Sequence, residues 1–351
     1  MEISTPGRIC LFGEHQDYLG LPVISMAISL RVIISGQKRQ DRKIVIHKPD
    51  IGETEIFSLD NLEYSHKRDY FKSGIVVCKR RGMSFTNGLE CEIKSQIPFQ
   101  AGTSSSSAIV VSWINFLAQL VDKPTKWSNM TIGELAYLAE SIEFQEPGGI
   151  MDQYTVACGG LLHIKSEPSI SLQTVDAQLG HFVLGDSCES KETIDILENC
   201  KNQRLKIFDK IRSYNPNFNL HKIRYQNDLS YLNEQEKKLL SATLKNRDLL
   251  EQGFKELKKE EINHEYLGEL LNQEHIILRD ELNISTEKID SMLSASMVAG
   301  AYGGKINGSG GGGCMFAYSP KNPEAVASAI ESVGGKAYII GKDEGTKILS
   351  K

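Results

Sequence analysis

The stretch TPGRICLFGEHQDYLG, Thr5 to Gly20, sets Arg8, Glu14, His15 and Asp17 beside a strand-like apolar run, Ile9, Leu11 and Phe12. A surface turn needs only Gly, Asn or Asp. A cation, two carboxylates and an imidazole together supply the donors and acceptors that grip a molecule rich in hydroxyls. Further along, PFQAGTSSSSA joins a strand-like segment to an apolar helix. A helix N-terminus offers unpaired N–H groups and partial positive charge, which suit phosphate. Small residues let the backbone approach the anion, and serine hydroxyls add donors or a magnesium ligand. The same residues also make an ordinary polar turn with a serine cap. No Gly-Lys-Ser/Thr follows, so this is not a Walker loop.

Two further stretches carry chemistry. KINGSGGGGCMFAY places five glycines in the six positions from Gly308, which is costly to order. Close approach of backbone to a ligand explains the run better than a linker, because it lies between an apolar helix and an apolar strand. EPGGIMDQYTVACGG sets Asp152 among Ile150, Met151, Val156 and Ala157, and Glu140 stands twelve residues upstream. Taken singly, these two acids also read as a helix cap and a solvated helix glutamate.

The elements that must position these residues follow from pattern. Residues 2–12 and 22–36 read as strands, with a bend at Gly20 and Pro22. DYFKSGIVVCKRR has helical apolar spacing and a basic last turn that complements the helix dipole. GLECEIKSQIPF alternates as a strand, and AIVVSWINFLAQLV is an apolar helix. Thr131 with Glu134 predicts a capped helix from Ile132 to about Phe144. A composition change near residue 175 leads into charged helical sequence from Ser190 to Met297, and the chain closes with a strand–helix–strand pattern.

At 351 residues the chain exceeds the growth limit of one core, which predicts two lobes, 1–175 and 176–351. A net charge of -5 gives no sign of a nucleic-acid or acidic-membrane partner. No apolar run approaches the roughly 20 residues of a membrane span. The first ten residues lack the charged and apolar regions of a signal peptide. Seven cysteines without a CxxC pair read as reduced thiols, so a cytoplasmic location is expected.

In order, PGRICLFGEHQDY, IPFQAGTSSSSA, GGIMDQY and KINGSGGGGC resemble the motifs of the GHMP small-molecule kinases, and most closely the galactokinase branch. DYFKSGIVV and LGELLNQEHIILRDELNISTEKID are similar to helices of that branch. The resemblance spans nearly the whole chain. It implies an α+β fold in two lobes, the first like domain 2 of ribosomal protein S5 and the second ferredoxin-like, with the active site between them. It implies ATP and Mg2+, with Gly102, Ser104, Ser105, Ser106 and Ser107 at the nucleotide phosphates and Ser106 with Glu140 on the metal. Asp152 and Arg8 fall on the catalytic positions. Arg8, Glu14, His15, Asp17, Gly149 and Asp152 fall on the substrate-binding ones. The implied reaction is phosphorylation of the anomeric hydroxyl of galactose or a closely related neutral sugar. Mevalonate, or the substrate of another sugar kinase of the family, is the alternative acceptor, and a non-catalytic sugar- and ATP-sensing relative is a third reading.

Bottom-up chemistry agrees with those roles. Phosphoryl transfer needs in-line positioning, neutralisation of phosphate charge and a carboxylate to orient or deprotonate the hydroxyl. Several positions depart from the galactokinase pattern. Gln100 and Thr103 replace a glycine and a leucine in the phosphate loop, and Cys10 replaces an asparagine. Lys305-Ile306-Asn307-Gly308 replaces Arg-Met-Thr-Gly. VLGDSCESKETIDIL, from Val183, lacks the tyrosine that lies against the sugar ring.

Overall fold

A computed structural model describes residues 1–99, 101–189, 193–223 and 229–350. Gln100 lies outside the described residues, as does part of the segment after Val183.

The first lobe is a mixed sheet backed by helices. Strand β1 (Glu2–Phe12) pairs with the long β2 (Val23–Lys38), followed by β3 (Lys43–Lys48), β4 (Glu53–Ser58), α1 (Tyr70–Arg80) and β5 (Leu89–Ser95). Then come α2 (Ser105–Leu120), α3 (Asn129–Tyr137), α4 (Met151–Cys158), β6 (Leu161–Lys165) and β7 (Ser171–Thr174). Helix α2 is apolar on every side because it is enclosed: β1 and β2 cover one face, and α1, α3 and α4 cover the rest. Trp113 and Phe116 on it are fully buried, and burial of each side chain contributes about 1.5–3 kcal/mol.

The second lobe contains β8 (Phe182–Asp186), α5 (Thr193–Tyr214), α6 (Glu234–Leu257), α7 (His264–Ile276), α8 (Glu287–Val298), β9 (Gly303–Ile306), β10 (Cys314–Tyr318), α9 (Pro323–Ser332) and β11 (Lys336–Ile340). Its four strands run antiparallel in the order β11-β8-β10-β9, with α8 and α9 packed on them. Interleaved with those two helices, that order is the ferredoxin-like arrangement.

The last strand, β12 (Lys347–Ser350), does not stay in the second lobe. It pairs with β1 at the edge of the first sheet, so a cut at 175/176 leaves one strand of the first sheet on the far side. Strand β1 also joins the two lobes through packing. Its Ile3 belongs to the core under α2, whereas Ile9, Leu11 and Phe12 share a core with Phe182, Phe316 and Tyr318 of the second sheet. The C-terminal half of β1 therefore has both lobes as neighbours.

The helix expected from Ile132 starts earlier. Ser128 is its cap, accepting the Thr131 N–H at 3.1 Å, a contact typically worth about 1 kcal/mol. Glu134 is not a capping partner; its carboxylate pairs with Arg81. At its other end α3 widens into a π-turn, Leu138–Ile142. Among the described residues no helix is long and apolar enough to cross a membrane.

Candidate active site

Arg8 projects from β1 and is 3% exposed. Its Nε and Nη2 both donate to Oδ1 of Asp152, at 2.8 and 2.7 Å, and its Nη1 donates to the Gly102 carbonyl. Burial alone would lower the guanidinium pKa, but the charges of Asp152 and Glu14 outweigh it and raise the value. Asp152 sits in the first turn of α4, where the helix dipole favours a carboxylate. Its Oδ2 has no partner among the described residues, and Asp152 lines a cavity of about 1120 Å³ between the lobes.

Asp17 reaches the same helix end. Its Oδ2 accepts the Met151 N–H at 3.3 Å and its Oδ1 the Tyr18 N–H at 2.9 Å. Burial, and then the charge of Asp152, push its carboxyl up to about 6. Gly149 allows this approach, because a Cβ there would lie 2.0 Å from Asp17 Oδ2. Gly149 thus admits Asp17 to the helix end and also lines the cavity.

Glu14 and His15 are held from the second lobe. Oε2 of Glu14 accepts from Lys305 Nζ at 3.2 Å and from the Gly308 N–H at 2.9 Å. The other Glu14 oxygen has no partner among the described residues, and Glu14 lines the cavity. His15 Nε2 lies 3.1 Å from the Ser309 carbonyl, which can only accept, so Nε2 carries the proton. Nδ1 then accepts from Tyr18 Oη at 2.8 Å, and Tyr18 in turn accepts from Arg204 of α5. Burial, reinforced by the charge of Arg204, drives the His15 pKa down to about 3, so the ring is neutral. Both ring nitrogens are therefore engaged within the protein. The cavity oxygens beside Arg8 belong to Glu14, Asp17 and Asp152.

The phosphate-loop candidate is stitched down on two sides. Thr103 O accepts the Arg8 N–H at 3.1 Å, Gly102 O accepts Asn307 Nδ2 at 2.8 Å, and Ala101 O accepts the Cys314 N–H at 2.7 Å. Gly102 and Ser104 take φ of 81° and 60°, which turns the chain into the N-terminus of α2. Ser104 to Ser107 line the cavity, and the buried Ser104 Oγ and Thr103 Oγ1 have no partner among the described residues. Unused buried donors at a helix N-terminus suit a phosphate.

Glu140 lies within the π-turn, 5% exposed. Its Oε2 accepts from Gln153 Nε2 at 2.7 Å, and the same Nε2 lies 3.5 Å from Ser107 Oγ. Burial raises the Glu140 carboxyl to about 7, against the lowering effect of Gln153 and of the nearby Ser106 and Ser107 hydroxyls. One hydroxyl and one carboxylate at the mouth of a phosphate-binding helix form a donor set that magnesium accepts beside a nucleotide. The residues fit that ion.

In the glycine run, Gly308 and Ser309 reach the cavity, and a Cβ on Gly308 would come within 2.6 Å of Gly102 O. Gly310 and Gly311 pack instead against Ile284 and Ile196, and all four residues from Gly310 to Gly313 have positive φ. Part of the run therefore serves backbone shape. Sequence reasoning noted Lys305 and Asn307 as departures from the family pattern without assigning them a role, and it missed Glu274 and Arg204.

Residues 69–160 match the GHMP kinases N terminal domain and residues 254–338 the GHMP kinases C terminal domain. Mevalonate kinase of Thermococcus sibiricus is 30% identical over 349 residues, covering 96% of this chain and 94% of that protein. The chain belongs to the GHMP kinase family. Residues 2–38 of this GHMP kinase also match the galactokinase galactose-binding signature. Galactokinase of Mannheimia succiniciproducens is 28% identical over 333 residues, 91% of this chain and 85% of that one. The crystal structure of Lactococcus lactis galactokinase complexed with galactose shares the fold, with a TM-score of 0.87, 22% identity, and coverage of 99% of this chain and 95% of that one. Membership makes this protein a phosphotransferase.

Proposed function

We propose that this GHMP kinase transfers the terminal phosphoryl group of ATP to the anomeric hydroxyl of galactose or a closely related neutral sugar. The observation that carries the reading is Asp17, admitted by Gly149 to the α4 N-terminus beside Asp152. Its carboxylate is an acceptor for ring hydroxyls, and the match to the galactose-binding signature supports the same substrate class. Asp152 uses Oδ1 for Arg8 and offers Oδ2 to the reacting hydroxyl, as the group that orients it and takes its proton. Ser104 to Ser107 and the α2 N-terminus hold the phosphates. Ser106 and Glu140 would hold Mg2+, which neutralises phosphate charge when bound.

Mevalonate is the second reading, favoured by the 30% identity to an archaeal mevalonate kinase. Charge speaks against it. At the Asp17–Asp152 end of the cavity a mevalonate carboxylate would meet Glu14, Asp17 and Asp152, while Arg8 is already paired and Lys305 lies fully buried behind Glu14. Such like-charge contact in a partly dry pocket costs several kcal/mol.

A panel of free hexoses, galacturonate and mevalonate in a coupled ADP-release assay tests the reading. Galactose should turn over, galacturonate should be far poorer, and phosphorus NMR should show a product phosphate coupled to H1. Phosphate on a primary alcohol, or faster turnover of mevalonate than of any hexose, would overturn it. Glu140→Gln keeps the size of the side chain and should raise the magnesium concentration needed for half-maximal rate about tenfold or more. An unchanged magnesium titration would remove Glu140 from the site.

A further inference from the structure

The turn that carries Glu14, His15 and Asp17 is conformationally demanding. Gly13 and His15 take φ of 89° and 62°, and His15 is a non-glycine residue in the left-handed region. Such a backbone persists only where its surroundings over-determine it. The group that does this is Glu274 of α7. It is fully buried, and its Oε1 accepts both the Gly13 and the Glu14 N–H, each at 3.0 Å. The same oxygen lies 3.8 Å from Lys305 Nζ, which donates to Glu14 Oε2 at 3.2 Å. Asn246 of α6 adds a bond to the Glu14 carbonyl at 3.0 Å. Glu14 is thereby fixed at its amide, its carbonyl and one carboxylate oxygen, all from the second lobe.

We propose that Glu274 is a positioning residue for the acceptor substrate, a carboxylate clamp that seats the Gly13–Glu14 peptide and, with Lys305, aims the free oxygen of Glu14 into the cavity. The clamp rests on the reading above only in its effect on substrate; its grip on the backbone stands apart from that. A carboxylate accepting two backbone N–H groups makes charge-assisted bonds, stronger than neutral ones. Loss of the clamp frees a strained turn, and a displacement of about 1 Å at a binding group lowers catalysis by as much as 10²-fold. Burial raises the Glu274 carboxyl to about 7, while the charge of Lys305 and the bonds from the two amides lower it and so favour the ionised clamp.

The test compares Glu274→Ala, Glu274→Asp and Glu274→Gln with Glu14→Gln. Glu274→Ala removes the acceptor. Glu274→Asp keeps the charge near Lys305 but withdraws the oxygen from the amides, and it serves if the alanine variant does not fold. Glu274→Gln keeps a carbonyl oxygen in the same place. The KM for the accepted substrate should rise about tenfold or more in the Ala and Asp variants, with kcat and the KM for ATP within about twofold. Gln should restore most of the loss. Hydrogen exchange at the Gly13 and Glu14 amides should accelerate in the Ala and Asp variants and return toward normal in Gln. Unchanged exchange at those amides overturns the clamp. An acceptor KM that rises in Glu14→Gln but not in Glu274→Ala or Glu274→Asp overturns its role toward substrate. Faster amide exchange with no KM change in Glu14→Gln leaves the clamp standing and removes Glu14 from the substrate site.

Discussion

Asp152→Asn should lower kcat by roughly 10²-fold or more while ATP affinity stays near normal. The substitution is nearly isosteric, and the geometry shows why the fold should tolerate it. Both Arg8 contacts fall on one oxygen of Asp152, and asparagine retains an oxygen that can occupy that position. The oxygen facing the cavity becomes an amide nitrogen, which donates and cannot take a proton. The ground-state pocket keeps its shape, and what disappears is the acceptor for the hydroxyl proton. The loss should therefore appear in kcat more than in the KM for ATP, because the serines of α2 proposed to hold the phosphates belong to a different element. Steady-state kinetics with nucleotide binding measured separately decides the matter. Wild-type turnover in the asparagine variant would remove Asp152 from the chemistry.

The legible parts of this site were those written in local sequence. Strand alternation before the serine loop, the apolar helix after it and the glycine run each follow from short-range pattern, so β5, α2 and the glycine-rich loop could be placed without coordinates. Glu140 was visible as an acid on a helix, but not the π-turn that turns it inward. One extra residue in a helical turn is set by packing and leaves little mark on periodicity. The Ser128 cap was displaced by three residues because Ser128 and Thr131 are both capping residues, and geometry chose between them. The least legible features are long-range. Glu274 lies 260 residues from the amide of Glu14 that it holds, and β12 returns from the chain end to pair with β1. The roles of His15's nitrogens depend likewise on Ser309, 294 residues away, and on Tyr18. Residue type suggested a hydroxyl-binding ring, and its partners show that it also braces the turn, while the ring still lines the cavity.

Asp17→Asn should raise the stability of the ligand-free enzyme at pH 7.5 and lower its efficiency with the accepted sugar, and the pH dependence separates this from generic repair. The Asp17 carboxyl is raised from 3.8 to about 6, first by burial and then by the charge of Asp152. A raised acid binds its proton more tightly in the folded protein than in the unfolded one. The stability that proton confers is fully present below the unfolded value of about 4 and is lost as pH rises through about 6. At neutral pH the folded enzyme therefore carries the cost of an ionised, partly buried Asp17 next to Asp152. Asparagine keeps an oxygen for one of the two backbone N–H donors and removes the charge. With partial exposure of the side chain discounted, the gain at pH 7.5 should be about 1–2 kcal/mol, falling to about half of that near pH 5 and toward zero only below about pH 4. Catalytic efficiency should fall by about one to two decades, since a carboxylate acceptor for ring hydroxyls is replaced by a weaker neutral one. Thermal unfolding of both proteins from about pH 4 to 8, alongside kcat/KM, measures the two effects together. A stability gain independent of pH would remove the charge explanation, and unchanged efficiency would remove Asp17 from the sugar. Both results together would leave the acidic end of the cavity without a part in choosing a neutral substrate over mevalonate.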